Sequence, residues 1–232
     1  MDLVLVGTFV SLFAVTIRGV WTAISMGDPY ILGDWQINYV GGFVRRGLLG
    51  ELPRYGLEWF GVDTRTTVFA VQFLVYGAFF GFSLPLVAAA IARYPVFAFA
   101  AASPLAFSFG AASPSAAGRK EIVFLATLSA LAWRLNRRSK ETRATLCGLS
   151  LVCAALVLTH EMLIFFLPFI LLLVAVATPE SISWRTVAYT MAPAAVALAF
   201  SMAFHGGSAQ VAAICGFLGS SGPPTCESRG AI

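Results

Sequence analysis

Long apolar runs separated by short polar connections dominate the chain. A membrane-spanning helix needs roughly 20 mostly apolar residues to cross about 30 Å of hydrocarbon, and several runs reach or approach that length. The pattern therefore predicts an all-α, polytopic transmembrane bundle of about seven spans. The predicted spans are 3–23, 67–92, 95–112, 121–135, 144–159, 162–178 and 186–204.

The third of these runs is interrupted. The tetrapeptide Ala-Ala-Ser-Pro occurs at 101–104 and again at 111–114, so Pro104 and Pro114 fall within the run or just after it. Irregular backbone is tolerated at membrane depth only where protein or a water-filled cavity covers it. The run is therefore either a complete span or a re-entrant or broken helix.

Composition supports the membrane class. Hydrophobic residues make up 59% of the 232 residues and charged residues only 11%, whereas soluble domains carry about 25% charged residues. The basic residues lie in short connections, which favours orientation signals over a nucleic-acid surface. No phosphate-binding loop, dinucleotide fingerprint or serine-hydrolase elbow is present in the sequence, and its two histidines argue against a zinc site.

The basic residues also predict the orientation. The densest cluster lies between the fourth and fifth predicted spans, and the positive-inside rule places it in the cytoplasm. The N-terminus is then inside, and the loop 24–66, the 118–121 and 160–161 turns and the tail 205–232 are outside. Seven basic residues fall on each side, but four of the outer seven share one long loop, where the rule has less force. The cytoplasmic cluster comprises Arg134, Arg137, Arg138, Lys140 and Arg143.

The first long loop carries an apolar repeat. Val44, Leu48 and Leu52 recur every four residues, which predicts an amphipathic helix over 43–52 that lies in the membrane interface. The whole of 1–232 is interpreted as one transmembrane domain. Its last residue, Ile232, lies in a Gly- and Pro-rich stretch, which leaves open that the sequence is a fragment.

The charged residues of this loop have two interpretations each. Arg45 and Arg46 either hold a phosphate or pyrophosphate with their planar, permanently charged forks, or anchor the loop to anionic head groups. Asp28 and Asp34 follow the first span closely, and either take part in chemistry or cap a helix or turn.

A second polar block, Gly118 to Glu121, opens the fourth predicted span. Glu121 in a first helical turn is favoured by the helix dipole. Arg119 and Lys120 gain nothing from that dipole, so their charges indicate either an anionic ligand or a salt bridge to an acid of the first loop.

His160 and Glu161 stand at the tip of a long, otherwise uncharged apolar stretch. Ionisable residues at such a place line a cavity or find a partner. A neighbouring carboxylate is expected to raise the imidazole pKa, which makes His160 a candidate proton donor or phosphate contact. The alternative is a hairpin tip that needs polar residues. His205, at the end of the seventh span, is expected to be an interfacial histidine.

The four cysteines divide into two pairs. Cys147 and Cys153 lie in an apolar run and are expected to be inert small hydrophobes. Cys215 and Cys226 lie in the polar tail and are predicted to pair in a disulfide if that tail is extracytoplasmic.

This arrangement resembles the N-terminal module of GT-C-type membrane glycosyltransferases: one span, a long outer loop with acids and an interfacial helix, then six further spans. The blocks 38–51, 118–121 and 160–161 are also similar to those of bacterial membrane proteins of surface-polysaccharide assembly. The resemblance implies a glycosyltransferase or polysaccharide polymerase that uses a polyprenyl-phosphate-linked sugar at the outer face of the bacterial inner membrane. It also implies a first-loop acid near the reaction centre and a divalent metal ion. The adjacent acid pair of many such enzymes is absent, since Asp28 and Asp34 are six residues apart.

The resemblance assigns roles to the polar blocks. Asp34 or Asp28 becomes the general base or a metal contact. The cations Arg45, Arg46, Arg119 and Lys120 become the phosphate-binding residues. His160 and Glu161 position the acceptor or the phosphate. The expected partners are membrane lipid and the lipid-linked sugar.

Two other functions remain open from the sequence. A transporter or flippase for an anionic lipid-linked substrate would carry polar groups near the bilayer midplane. Arg18 alone is a candidate for such a position, and a long arginine side chain can also reach the interface. A non-catalytic assembly subunit is the other alternative.

Overall fold

The computed structural model describes residues 3–103, 107–137, 143–177, 183–204, 206–219, 222 and 226, and these residues form helices and connections without strands. The predicted all-α class is confirmed. In chain order the helices are α1 Leu3–Ser25, α2 Pro29–Gln36, α3 Glu51–Phe60, α4 Thr64–Arg93, α5 Phe97–Ala102, α6 Phe109–Ala112, α7 Pro114–Ala117, α8 Glu121–Arg137, α9 Arg143–Thr159, a 3₁₀ helix Glu161–Phe166, α10 Leu167–Ala177, α11 Trp184–Ala203 and α12 Ser208–Leu218.

Three helices, α1, α4 and α11, are long and apolar enough to cross a membrane by length and composition. Shorter apolar helices accompany them at Cys147–Thr159, Glu161–Ala177 and Ser208–Leu218. The buried side chains form two main clusters. One joins α1, α2 and α4, and the other joins α8, α9, α10 and α11.

The third predicted span is a broken helix. Instead of one helix over 95–112, the chain forms the short helices α5, α6 and α7. Ser113, immediately before Pro114, is extended, because the proline ring disfavours helical backbone in the residue that precedes it. Pro104 lies outside the described residues. The broken segment packs on α1, where a Cβ on Gly110 would approach Thr16 Cγ2 to 2.7 Å.

The predicted amphipathic helix is displaced along the chain. Residues 43–50 form turns, and the helix begins only at Glu51. Arg46 adopts a left-handed conformation, with φ of 65°, which does not belong in a right-handed helix. Gly50 lies against the chain at Ile37, since a Cβ there would come within 1.7 Å of the Ile37 carbonyl oxygen. This part of the loop therefore forms turns that pack closely against the backbone at Ile37, and it is not helical.

The helix that does form, α3, is amphipathic. Tyr55 and Trp59 are exposed, Trp59 to 70%, and their rings lie 4.7 Å apart. Arg54 is hydrogen-bonded to both Glu51 and Glu58. An exposed aromatic stripe beside charged side chains is typical of an interfacial helix. The helix predicted over 43–52 is therefore wrong in its bounds, and the amphipathic helix of this loop is Glu51–Phe60.

Candidate functional site

Charged residues from distant parts of the chain meet at one end of the bundle. Arg46 of the first loop donates to Glu161 from Nε to Oε2 at 2.8 Å and from Nη2 to Oε1 at 2.5 Å. Lys120 Nζ donates to the Arg46 carbonyl oxygen at 2.8 Å and lies 3.7 Å from Asp34 Oδ1. We call Asp34, Arg46, Lys120 and Glu161 the charge cluster.

Helix α2 places Asp34 in this cluster. The helix begins at Pro29, and the preceding Asp28 accepts a hydrogen bond at Oδ1 from Ile31 N at 3.1 Å. The next residue after Asp34, Trp35, is buried, and its Nε1 donates to the Gly118 carbonyl oxygen at 2.6 Å. That bond fixes α2 against the turn that carries Lys120, so the loop acid and the lysine are brought together.

Asp28 and Asp34 therefore differ in role. The contact of Asp28 with Ile31 N is an N-cap interaction, which is the structural alternative that the sequence left open for it. The Asp34 carboxylate lies beside Lys120 instead, and its side chain keeps 23% exposure to solvent. The structure thus separates two candidate acids that the sequence could not rank.

Lys120 is completely buried. Burial lowers the pKa of its ammonium to about 8, although nearby Asp34 raises the pKa and Arg46 lowers it further. A buried cation costs stability unless it is paired and hydrogen-bonded. The two contacts that it makes, with the Arg46 carbonyl and with Asp34, supply that compensation.

Arg46 joins the two halves of the cluster. Its carbonyl oxygen accepts from Lys120, and its guanidinium holds Glu161. The left-handed backbone of Arg46 is costly for a residue with a Cβ, and such conformations persist where the surroundings over-determine them. The contacts on both sides of Arg46 provide that constraint.

The His160–Glu161 turn corrects one prediction. Burial, followed by the charge of Arg46, lowers the pKa of His160 despite the neighbouring carboxylates, so the predicted increase is wrong. His160 Nδ1 accepts a hydrogen bond from Met162 N at 3.3 Å. For Glu161, burial alone would raise the pKa, but the hydrogen bond from Arg46, a backbone hydrogen bond and the charge of Arg46 together outweigh it, and the pKa falls to about 2. Glu161 is therefore a carboxylate at neutral pH.

The remaining predicted cations are more exposed. Arg45 Nη1 lies 3.8 Å from Glu161 Oε1, at the edge of the cluster. Arg119 pairs with Glu121 at 3.4 Å, in a contact that leaves the arginine largely in solvent. Of the four predicted phosphate-binding residues, Arg45, Arg46 and Lys120 thus gather around the cluster, while Arg119 is held by its own neighbour.

Residues 43–50, which carry Arg45 and Arg46, are called the arginine loop below. Helix α12 supports this loop and had no counterpart in the sequence prediction. Its Ile214 and Leu218 pack against Ile37 and Val44, and a Cβ on Gly41 would approach Ala213 Cβ to 2.9 Å. Within the same region Cys215 and Cys226 form the predicted disulfide. His205 lies outside the described residues.

The opposite end of the bundle carries arginines. Because α8 starts at the charge cluster, its last turn, with Arg134 and Arg137, lies about 25 Å away along the helix. The last residue of α4, Arg93, and Arg185 near the start of α11 lie at that end as well. Apart from Arg18, which lies within α1, the described charges therefore divide between two ends, while Arg138 and Lys140 lie outside the described residues.

A metal ion does not fit this site. Over the described residues, no three His, Cys, Asp or Glu side chains come together in a group that could hold a metal ion. Around Asp34 and Glu161 the positive charge comes from Lys120, Arg45 and Arg46. Comparisons of the chain with protein families, with curated proteins and with solved structures found no match.

Proposed function

We propose that the chain is a membrane glycosyltransferase or polysaccharide polymerase that uses a polyprenyl-phosphate-linked sugar. The observation that supports this best is Asp34, a partly exposed carboxylate 3.7 Å from a buried lysine and next to an arginine-rich loop. Glycosyl transfer from a phosphate needs both elements, a base for the acceptor hydroxyl and cations for the leaving phosphate.

In this proposal the Asp34 carboxylate accepts the proton of the acceptor hydroxyl as that oxygen bonds to the anomeric carbon. The bond between the anomeric carbon and the phosphate oxygen breaks, and the electron pair leaves with the phosphate. Lys120, Arg45 and Arg46 stabilise the charge that develops there. His160 is neutral and buried, which suits it to orient the acceptor.

The proposed topology has seven crossings, with the N-terminus inside and the charge cluster at the outer face of a bacterial inner membrane. The arginines Arg93, Arg134, Arg137 and Arg185, which share the opposite end, support this orientation through the positive-inside rule. The exposed aromatic residues of α3, next to the cluster end of α4, fit an interfacial position at the outer surface.

Transport is a second candidate, supported by one observation. The broken segment α5–α7 packs against α1, and discontinuous helices form the substrate sites of many transporters. Export of the lipid-linked sugar without transfer would favour this function.

The test is sugar transfer from a radiolabelled polyprenyl-phosphate donor by the purified full-length protein. We expect Asp34→Asn to reduce the rate by at least about 100-fold, because a general base contributes 10²–10⁴-fold. Asp63→Asn is the matched control, since Asp63 caps α4 in the same loop and asparagine caps equally well. Equal rates for Asp34→Asn and wild type would remove Asp34 from the mechanism.

A further inference from the structure

The arginine loop already holds an anion, which is the carboxylate of Glu161. Both of its oxygens accept hydrogen bonds from Arg46, at 2.8 and 3.0 Å from Nε and at 2.5 Å from Nη2. Arg45 Nη1 lies 3.8 Å away on the same carboxylate. The fork of an arginine binds two oxygens of a phosphate with the same geometry, so Glu161 occupies a position that suits a phosphate.

Arg46 is held in place independently of Glu161. Lys120 Nζ holds its carbonyl oxygen, and α12 packs against Val44, two residues earlier. The arginine loop therefore keeps its backbone position if the carboxylate leaves. The guanidinium groups of Arg45 and Arg46 would then face solvent without the Glu161 carboxylate between them.

Glu161 lies at a junction that can release it. Helix α9 ends at Thr159, His160 is extended, and Glu161 begins a 3₁₀ helix that leads into α10. A 3₁₀ stretch between two α-helices often marks a hinge. The carboxylate can also leave the fork by side-chain rotation alone, because it lies on the first residue of that stretch.

We propose that Arg45 and Arg46 form a binding site for a phosphate ester, and that Glu161 is an internal competitor which leaves the arginine fork when the phosphate binds. The inference rests on the proposed function for the carrier of that phosphate, a lipid-linked sugar. The phosphodiester of the donor carries one charge, as the carboxylate does, and sugar transfer converts it into a phosphate monoester with a second charge, so the site favours the leaving phosphate over Glu161. Glu161 keeps its charge throughout the neutral range, so the ligand and not the pH drives the exchange.

Isothermal titration of the full-length protein in nanodiscs of uncharged lipid tests the site, with inorganic pyrophosphate as one ligand and a polyprenyl phosphate as the other. Removing the competing charge with Glu161→Gln should tighten pyrophosphate binding by about tenfold, the equivalent of one strong charged contact. Glu161→Asp, which keeps the charge on a shorter side chain, should fall between wild type and Glu161→Gln.

Glu58→Gln is the matched control, because Glu58 also accepts from an arginine, Arg54, but in α3. It should bind pyrophosphate as wild type does. Unchanged or weaker binding in both Glu161 variants would overturn the inference. Tighter binding of pyrophosphate without tighter binding of the polyprenyl phosphate would support the site and contradict the lipid carrier of the proposed function.

Discussion

Replacing Lys120 with methionine is expected to reduce sugar transfer by about 100-fold or more, while the protein stays folded. Removal of one fixed donor that faces developing negative charge typically costs 10²–10³-fold in rate. The lysine is completely buried, and its burial lowers its pKa to about 8. The charged form is therefore disfavoured in the fold, but methionine leaves the Arg46 carbonyl oxygen without its donor, so the variant should lose about 1–3 kcal/mol of stability at pH 7.

The pH dependence of the stability of the fold tests whether Lys120 is a buried cation with a lowered pKa or only a structural contact. Between about pH 8, the pKa of Lys120 in the fold, and 10.5, its ordinary value, the unfolded chain binds more protons than the folded one. Relative to Lys120→Met, the wild type should therefore gain stability as the pH rises across that window. Chemical unfolding in detergent at several pH values measures it.

Lys140→Met is the control, because Lys120 and Lys140 are the only lysines of the chain. It should leave both transfer and the pH profile unchanged. An unfolded Lys120→Met protein would show that the lysine mainly holds the loop to α8. A difference in stability between wild type and Lys120→Met that stays constant between pH 8 and 10.5 would contradict the lowered pKa.

Of the glycine-to-alanine substitutions in the first loop, Gly50→Ala is expected to cause the largest loss of stability. The new Cβ would lie 1.7 Å from the Ile37 carbonyl oxygen, and 2.4 Å from the Ile37 carbonyl carbon. Both are backbone atoms, so no side-chain rotation relieves the overlap. The loop must shift, at a cost of about 3 kcal/mol or more.

Gly81→Ala in α4 is the matched change, since a Cβ there meets nothing within 4 Å. It should be neutral or slightly stabilising, because alanine is the better helix former. Thermal unfolding followed by tryptophan fluorescence compares the two variants. Equal midpoints of thermal unfolding for the two variants would mean that Gly50 does not pack against the backbone of Ile37.

The long helices could be predicted from the sequence because one property, continuous apolarity, determines them. The spans predicted at 67–92 and 186–204 correspond to α4 at Thr64–Arg93 and α11 at Trp184–Ala203. The break in the third run was visible as the repeated Ser-Pro pairs. The sequence could not show whether this run is a complete span or a broken helix, because irregular backbone at membrane depth depends on the protein that covers it.

The first loop was harder to predict because its shape depends on distant contacts. A four-residue apolar repeat suggested helix over 43–52, but the crossing at Gly50 and the left-handed backbone at Arg46 prevent it. Helix α12 was missed because its apolar residues lie in a short run. The residues that they pack against, Ile37 and Val44, are also far away in the sequence.

The candidate site was predicted as a set of residues, with only one of its pairs among the alternatives: Lys120 with an acid of the first loop, which the structure identifies as Asp34. Polar residues in an apolar chain are conspicuous, which is why Asp34, Lys120 and Glu161 could be selected. The pairing of Arg46 with Glu161 could not be assigned, because 115 residues separate them. The sign of the pKa shift of His160 was wrong for the same reason, since burial and Arg46 were not visible in the local sequence.

The central claim is that the first-loop acid and the lysine before α8 meet in one charge cluster. A zero-length, membrane-permeable carbodiimide tests it, since this reagent joins a carboxylate directly to an amine in contact with it. At pH 8, where Lys120 is partly neutral, peptide mass spectrometry should identify an amide bond between Asp34 and Lys120. Its loss in Lys120→Met with persistence in Lys140→Met would support the cluster, whereas Asp34 joined to Lys140, or Lys120 joined only to acids outside the cluster, would contradict it.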